Sequence, residues 1–423
     1  MLVRARYRRR RESIPSLSEP LSPAVRRVIL GITLTSFGNG LMVPFNLILL
    51  HEVHGIALST TGVLLAIPAV VALLTLPLCG AAIDRFGSQA VLRGALVIQA
   101  AGNFLLARAS GVEGAACAGV LLGVSYGLAP PAGVALLSSL LLKNAAAQAR
   151  AFALQFTSLN AFFGAGALTA AVLVDVRTPS TFTVLYVVGS ALCLVQVPLV
   201  PRAPALARDD AQRVEPSYRE VIANRAFRRV CLVAFLFALT GHAAATSGLP
   251  AYARAVGHVE ARVVGIVFAV NTAIIVIGQL ALVRLLKGRR RTTALVAAAV
   301  ASCAAWGSLA LVPELPGSGR AAMLLGFGAL LGVGEMLLAP TLGPLINALA
   351  TDRLRGRYNA VSGGTQAIAL IVSPALATAC IDRALASAWL ALLVLCSVGA
   401  GVVACALRGL LSDEQEGRAI AEQ

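Results

Sequence analysis

Two residues of this chain stand where ionisable groups are scarcest. Glu335 lies at the midpoint of the apolar run 321–349, and His242 lies near the middle of "VAFLFALTGHAAATSGLPAY". An ionised carboxylate at the centre of a bilayer costs about 2.5 to 3.5 kcal/mol. A glutamate kept there therefore either loads and releases a proton or stays hydrogen-bonded as a fixture of the helix bundle. An imidazole, whose ordinary pKa is near ~6.5, suits proton coupling, pairing with an acid, or a hydrogen bond to a helix carbonyl. The neutral amides Asn39, Asn160, Asn271 and Gln279 also fall within apolar runs. Each can hydrogen-bond a ligand or a neighbouring helix.

Other chemistry is thinly represented. "LLHEVHGI" places His51 and His54 three apart around Glu52, which is weak metal-ligand spacing and reads as external surface polarity. The eight cysteines sit in or at the edges of apolar runs without a CxxC pair, as small packing residues do. No phosphate-binding GxxxxGK[ST], HExxH or acidic pair accompanies the spans. No catalytic set, metal site or cofactor is expected, and direct use of ATP is disfavoured.

The elements that must position Glu335 and His242 follow from composition. Of 423 residues, 58% are hydrophobic, 13% charged and 5% aromatic, with a mean hydropathy of +0.83. Soluble domains carry about 25% charged residues, so a water-soluble globule is excluded. A bilayer core takes about 20 apolar helical residues to cross. Apolar runs give twelve candidate helices near 27–48, 61–79, 93–107, 115–141, 151–173, 182–200, 230–250, 263–283, 292–312, 321–349, 358–380 and 386–407. These runs are nearly continuous, unlike the period-two alternation of a barrel strand. The fold class is thus an all-α integral membrane protein with twelve transmembrane helices in two six-helix halves.

Charge placement orients the chain. With the amino terminus inside, 29 basic residues fall on the inner side and 6 on the outer, so both termini are expected in the cytoplasm. The formal charge of +16 is accounted for by these inner loops and tails rather than by a nucleic-acid surface. The Arg-rich start "VRARYRRRRE" reads as a topology signal attracted to anionic lipid, in preference to a nucleic-acid arm or an export address. The organisation is a tail at 1–26, a first half at 27–200, a linker at 201–229 carrying a short surface helix, a second half at 230–407 and a tail at 408–423. An internal repeat supports it: Arg150 to Asp175 and Arg357 to Asp382 share one spacing, and "LLGV…LAP" recurs at 121–130 and 330–340. In that alignment Glu335 corresponds to Ser125 or Tyr126.

The loop "GAAIDRFGSQAVLRG", with Gly80, Asp84, Arg85 and Gly87, resembles the loop signature of the major facilitator superfamily, Gly-x-x-x-Asp-Arg/Lys-x-Gly followed by two basic residues. Here Ser88 and Gln89 replace the basic pair, and Arg93 stands in. The second-half loop "RLLKGRRRTTAL" keeps Gly288 and the cluster Arg289, Arg290 and Arg291 but lacks the acid. "LRGRYNAVSGGTQAIALIVSPAL", with Arg355, Gly356, Arg357 and Pro374, resembles the drug-exporter-like branch of that superfamily. Helix 4 lacks the arginine frequent in proton-coupled drug antiporters, carrying Gly119, Gly123 and Gly127 instead. Helix 5 has Gly164 and Gly166 but no proline. These glycines suit close helix packing or flexing during transport.

The resemblance implies an alternating-access carrier whose helices 1, 4, 7 and 10 border a central cavity. It would place Glu335, as protonation site, beside His242 as partner or ligand, with Asn39 and Tyr126 on the same pathway. The expected function is proton-coupled export of a hydrophobic or amphipathic small molecule. The alternatives are an uptake symporter for a small metabolite and, less favoured, an integral-membrane lipid-modifying enzyme. The chain is expected to be no enzyme, to work as a monomer in the plasma or inner membrane, and to draw on the proton gradient without a cofactor. Its partners would be a small-molecule substrate and the lipid bilayer, with no nucleic acid.

Overall fold

Backbone N–H and C=O groups in hydrocarbon have no water to bond, so an apolar chain must satisfy them within helices or a closed barrel. The computed structural model describes residues 21–109, 111–141, 145–202, 218–286, 288–351 and 354–417, and its regular structure there is entirely helical. The Arg-rich start, most of the linker and the end of the carboxy-terminal tail lie outside the described residues. Among the described residues, twelve helices are long and apolar enough to cross a membrane. In the first half they are α1 (Pro23–Val53), α2 (Leu58–Phe86), α3 (Ser88–Arg108), α4 (Val112–Leu140), α5 (Arg150–Leu173) and α6 (Ser180–Leu199). In the second half they are α7 (Arg225–Ala255), α8 (Ala261–Gln279), α9 (Arg291–Glu314), α10 (Gly317–Leu349), α11 (Arg355–Asp382) and α12 (Ala386–Leu407).

Several helices extend past the apolar runs that announce them. α2 continues through Asp84 and Arg85, α7 begins at Arg225, and α11 takes Arg355, Gly356 and Arg357 into its first turn. Hydropathy marks where hydrocarbon ends, whereas intrahelical hydrogen bonding carries the helix into the polar interface. Capping then sets the true ends: Ser22 Oγ accepts from Val25 N–H at 3.3 Å, with Pro23 opening α1, and Asn224 Oδ1 accepts from Phe227 N–H at 3.0 Å to start α7. The same extension carries α1 through "LLHEV", so His51 and Glu52 stand in a π-helical last turn and not in a loop.

Helix pairing repeats between the halves. α1 packs on α5 and α6, α2 on α4, and α3 on α4 and α6; α7 packs on α11 and α12, α8 on α10, and α9 on α10 and α12. Across the halves the principal contacts are α2 with α11 and α5 with α8. The glycines of α4 form its seam against α2. A Cβ at Gly123 would stand 2.7 Å from the Pro68 carbonyl and 2.5 Å from Val71 Cβ. Gly123→Val should therefore lower the Tm of the purified protein, because overpacking a closed seam costs about 1–3 kcal/mol; an unchanged Tm would show that the seam can open.

The buried core is in three parts, and their distribution defines the conformation. One cluster draws on both halves, from Phe45, Leu106 and Phe182 to Tyr252, Trp306 and Trp389. It lies on the side of the bundle away from the termini. The other two lie on the terminus side and each belongs to one half: Val28, Leu92 and Leu136 in the first, Phe227, Leu295 and Leu345 in the second. The halves are therefore sealed together on one side and parted on the other.

Candidate functional site

Between the halves lies a cavity of about 670 Å³, lined from both. Its walls come from α1, α2, α4 and α5 on one side and α7, α8, α10 and α11 on the other. α1, α7 and α10 are all interrupted. α1 passes through a 3₁₀ turn at Val43–Phe45, α10 breaks around Pro340, and α7 has a π turn at Leu239–Ala243 in which Gly241 leaves helical geometry (φ −96°, ψ −120°). The break in α7 frees backbone groups that must find partners. Trp306 Nε1–H donates to the Thr240 carbonyl at 2.6 Å, wedging the fully buried indole of α9 behind the distorted turn.

Glu335 projects from α10 into this space. Its Oε2 accepts a hydrogen bond from Asn271 Nδ2–H of α8 at 3.0 Å. Its Oε1 faces the break, 3.6 Å from where a Cβ on Gly241 would stand. The neighbouring His242 presents its imidazole to the cavity and makes no hydrogen bond with the described residues, while its carbonyl accepts from Thr246 Oγ1–H at 2.7 Å. Glu335 and His242 thus share the cavity wall without forming an ion pair. Asn39 and Tyr126 line the opposite wall. Asn39 Oδ1 accepts from Gln99 Nε2–H of α3 at 3.1 Å, and Gln99 Oε1 accepts from Ser125 Oγ–H of α4 at 3.5 Å. This amide chain ties α1, α3 and α4 together, as the Asn271–Glu335 bond ties α8 to α10. Gln279 is not among the residues that line the cavity; its Oε1 is buried without a hydrogen-bond partner.

Most other polar groups of the lining are engaged by their own scaffold. Ser36 Oγ–H donates to the Leu159 carbonyl at 2.5 Å, Asn160 Nδ2–H to that of Phe156 at 2.9 Å and Ser247 Oγ–H to that of Ala243 at 2.7 Å. The Tyr186 hydroxyl is bonded to Asn46 Oδ1. What remains without a hydrogen bond among the described residues is Glu335 Oε1, the His242 imidazole, the Tyr126 phenol, the Thr272 hydroxyl and one end of each lining amide, set among Phe156, Phe163, Phe268 and Leu331. Among the described residues, no Lys or Arg lines the cavity. Gln99, Asn46 and the phenylalanines did not enter the candidate set from sequence. Gln99 was accessible by the criterion that selected Asn271, an amide within an apolar run.

The loop residues lie apart from the cavity, at the terminus side. Gly87 takes φ +81°, a conformation that favours glycine, and its N–H closes α2 on the Ile83 carbonyl at 2.8 Å. Asp84 and Arg85 are exposed, and Arg85 stands 5.3 Å over the Phe86 ring. The Arg93 guanidinium donates to the Val200 carbonyl at 2.5 Å, tying α3 to the end of α6. Gly288 takes φ +74° in the corresponding second-half loop, followed by Arg289, Arg290 and Arg291, while Gly80 and Gly356 have no neighbour within 4 Å of an added Cβ.

Two spans that lie far apart in sequence, α5 and α8, close the cavity with small residues in register, Gly265 against Ala167 and Gly164 against Thr272. The Major Facilitator Superfamily model matches residues 28–374. The chain belongs to the major facilitator superfamily. A comparison with curated proteins found no match. Among solved structures the chain resembles a D-xylose-proton symporter at 12% identity and TM-score 0.71, covering 90% of this chain and 96% of that one. It also resembles the nucleoside transporter NupG at 12% identity and TM-score 0.68, covering 92% and 98%. A third is a bacterial homologue of the human lysosomal transporter Spinster in an inward-facing, unoccupied conformation, at 14% identity and TM-score 0.67, covering 91% and 94%. At these identities the likeness is one of fold. This superfamily member is accordingly a multi-pass membrane transporter with the family's twelve-helix architecture.

Proposed function

We propose that this transporter exports a hydrophobic or amphipathic small molecule in exchange for protons by alternating access, as in the drug-exporter-like branch. The observation that supports this reading most directly is Glu335: a cavity carboxylate held by a single side-chain hydrogen bond, beside a broken helix, with no lysine or arginine among the described residues of the lining. Protonation of Glu335 removes the charge from the cavity, and deprotonation restores a site for a cationic or hydrogen-bond-donating group on the cargo. The apolar and aromatic walls suit the rest of such a molecule. The predominance of apolar and aromatic side chains in the lining favours such a cargo over a sugar-like one, and so over the uptake-symporter reading.

In this assignment both termini are cytoplasmic, the parted side of the bundle opens inward, and the carrier acts as a monomer in the cell membrane on the proton gradient alone, without cofactor, nucleic acid or enzymatic turnover. Reconstitution tests it. Proteoliposomes given an inwardly acidic lumen should concentrate the cargo identified by metabolite and drug-sensitivity profiling, and should do so with protonophore sensitivity. Accumulation indifferent to the pH gradient would overturn the coupling, and covalent conversion of the cargo would overturn the carrier itself.

His242→Asn offers a separate expectation. Because the imidazole bonds nothing in the described scaffold, its loss should leave Tm unchanged and raise the apparent KM for cargo by about tenfold, the effect of removing one polar contact of about 1.4 kcal/mol. A fall in Tm with unchanged KM would instead assign His242 to the bundle.

A further inference from the structure

The α8–α9 loop keeps the glycine of its first-half counterpart and has the basic pair that the first half lacks, but it has no acid where Asp84 stands. The structure brings one from elsewhere. Past α12 the chain turns back over residues 412–417, and Glu416, only 3% exposed, packs against the start of α9. Glu416 Oε2 accepts from Thr292 N–H at 3.1 Å, and Oε1 accepts from Thr292 Oγ1–H at 2.8 Å. The Glu416 carbonyl accepts from Arg291 N–H at 3.1 Å. The Arg291 guanidinium donates to the Gln415 carbonyl at 3.0 Å and reaches that of Pro344, within α10, at 3.5 Å. The turn is internally built, with Ser412 and Gln415 exchanging side-chain hydrogen bonds at 3.0 and 3.2 Å and Gly417 at φ +80°.

A helix start leaves N–H groups that need acceptors and favours negative charge. A Ser, Thr, Asn or Asp at position 290 would meet that need locally. Arg290 occupies the cap without a side-chain bond, and the acceptor comes instead from a residue 124 positions away. That choice does what a local cap does not: it joins the beginning of α9 to the chain leaving α12, with α10 held through Arg291. In the first half the Arg93–Val200 bond makes the equivalent link from α3 to α6, and no buried acid is added.

We propose that residues 412–417 form a clasp in which Glu416 replaces the missing loop acid and fastens the terminus-side ends of α9, α10 and α12 into one unit that moves whole during alternating access. The clasp belongs to the carrier's conformational cycle and does not depend on the nature of the cargo or the direction of transport. Without it the α8–α9 loop shifts independently of α12, and the width of the terminus-side opening is no longer singly defined.

The test uses the full-length protein in lipid nanodiscs, as wild type and Glu416→Ala. Hydrogen exchange over residues 291–293 reads the clasp. Electron-spin distances between labels at Phe86→Cys and Arg289→Cys, on a background lacking the native cysteines, read the opening between the halves. The expected result is exchange at least about tenfold faster in the variant, as for locally opened backbone, together with a broadened distance distribution. Unchanged exchange would overturn the clasp, and faster exchange with an unchanged distance distribution would reduce it to a local cap and overturn its conformational role. Should Glu416→Ala fail to accumulate, Glu416→Gln, which keeps the shape and removes the charge, is judged by the same two outcomes.

Discussion

Glu335→Gln should lose pH-gradient-driven transport by on the order of 100-fold while retaining cargo binding and cargo–cargo exchange. Glutamine keeps the size of the side chain and an oxygen to accept from Asn271 Nδ2–H, so the bond across α8 and α10 survives. What disappears is the choice between a charged and a neutral state. Ionisation at mid-membrane is an event of about 2.5 to 3.5 kcal/mol, which the carrier can use to favour one conformation over another, and each 1.36 kcal/mol is tenfold in rate. Proteoliposomes separate the effects: counterflow with no gradient reads binding and reorientation, and uptake against an imposed gradient reads coupling. Wild-type gradient-driven transport by the glutamine variant would remove Glu335 from the coupling step. Loss of counterflow as well would give it a structural role. Asn271→Leu complements the test, since it removes the donor while leaving the carboxylate, and should alter the pH dependence of transport with less effect on its maximum rate.

The architecture was legible because its cause is compositional. Lipid forces apolar helices, and twelve apolar runs could be counted directly. Helix ends were less legible, because the hydrogen-bonded ladder in α2, α7 and α11 runs past the point where hydropathy stops. Glu335 stood out as the acid within an apolar run, and the amides Asn39 and Asn271 by the same rule. Their partners did not. The Gln99–Asn39 bond joins residues 60 apart and the Asn271–Glu335 bond residues 64 apart, and only helix packing decides which of many mid-span amides meet. The break at Gly241 was equally hidden: "LTGHA" carries no proline, and its distortion is sustained by Trp306 from another span. The missing acid of the α8–α9 loop was visible as a gap in the repeat, whereas its replacement by Glu416 depends on where the tail folds.

The second large effect is expected where the halves are sealed. Arg254, in the last turn of α7, grips Glu52 at the end of α1 with two parallel bonds, Nε–H to Oε1 at 2.6 Å and Nη2–H to Oε2 at 2.5 Å, and its Nη1–H donates to the Val259 carbonyl at 2.6 Å. This ion pair bridges the halves. Exposed pairs contribute about 0–1 kcal/mol, but this one is bidentate, with side chains only 27% and 18% exposed, and it sits over the shared core. Charge-assisted, partly desolvated geometry of this kind supports about 1.5–3 kcal/mol per contact. The pair can act only on the closed form of this side, because separation of α1 from α7 breaks it, so its whole contribution biases the equilibrium toward the conformation observed. Arg254→Glu sets two carboxylates face to face and should shift that equilibrium by at least about tenfold toward opening away from the termini. A cysteine placed at a cavity position such as Ala245 would report it through faster labelling by an impermeant maleimide from that side. The exchange Glu52→Arg with Arg254→Glu restores opposite charges and should bring labelling back toward the wild-type rate. Restoration identifies the pair as a latch between conformations; an exchanged pair that labels as fast as Arg254→Glu alone would assign closure to the apolar seam of α5 against α8 instead.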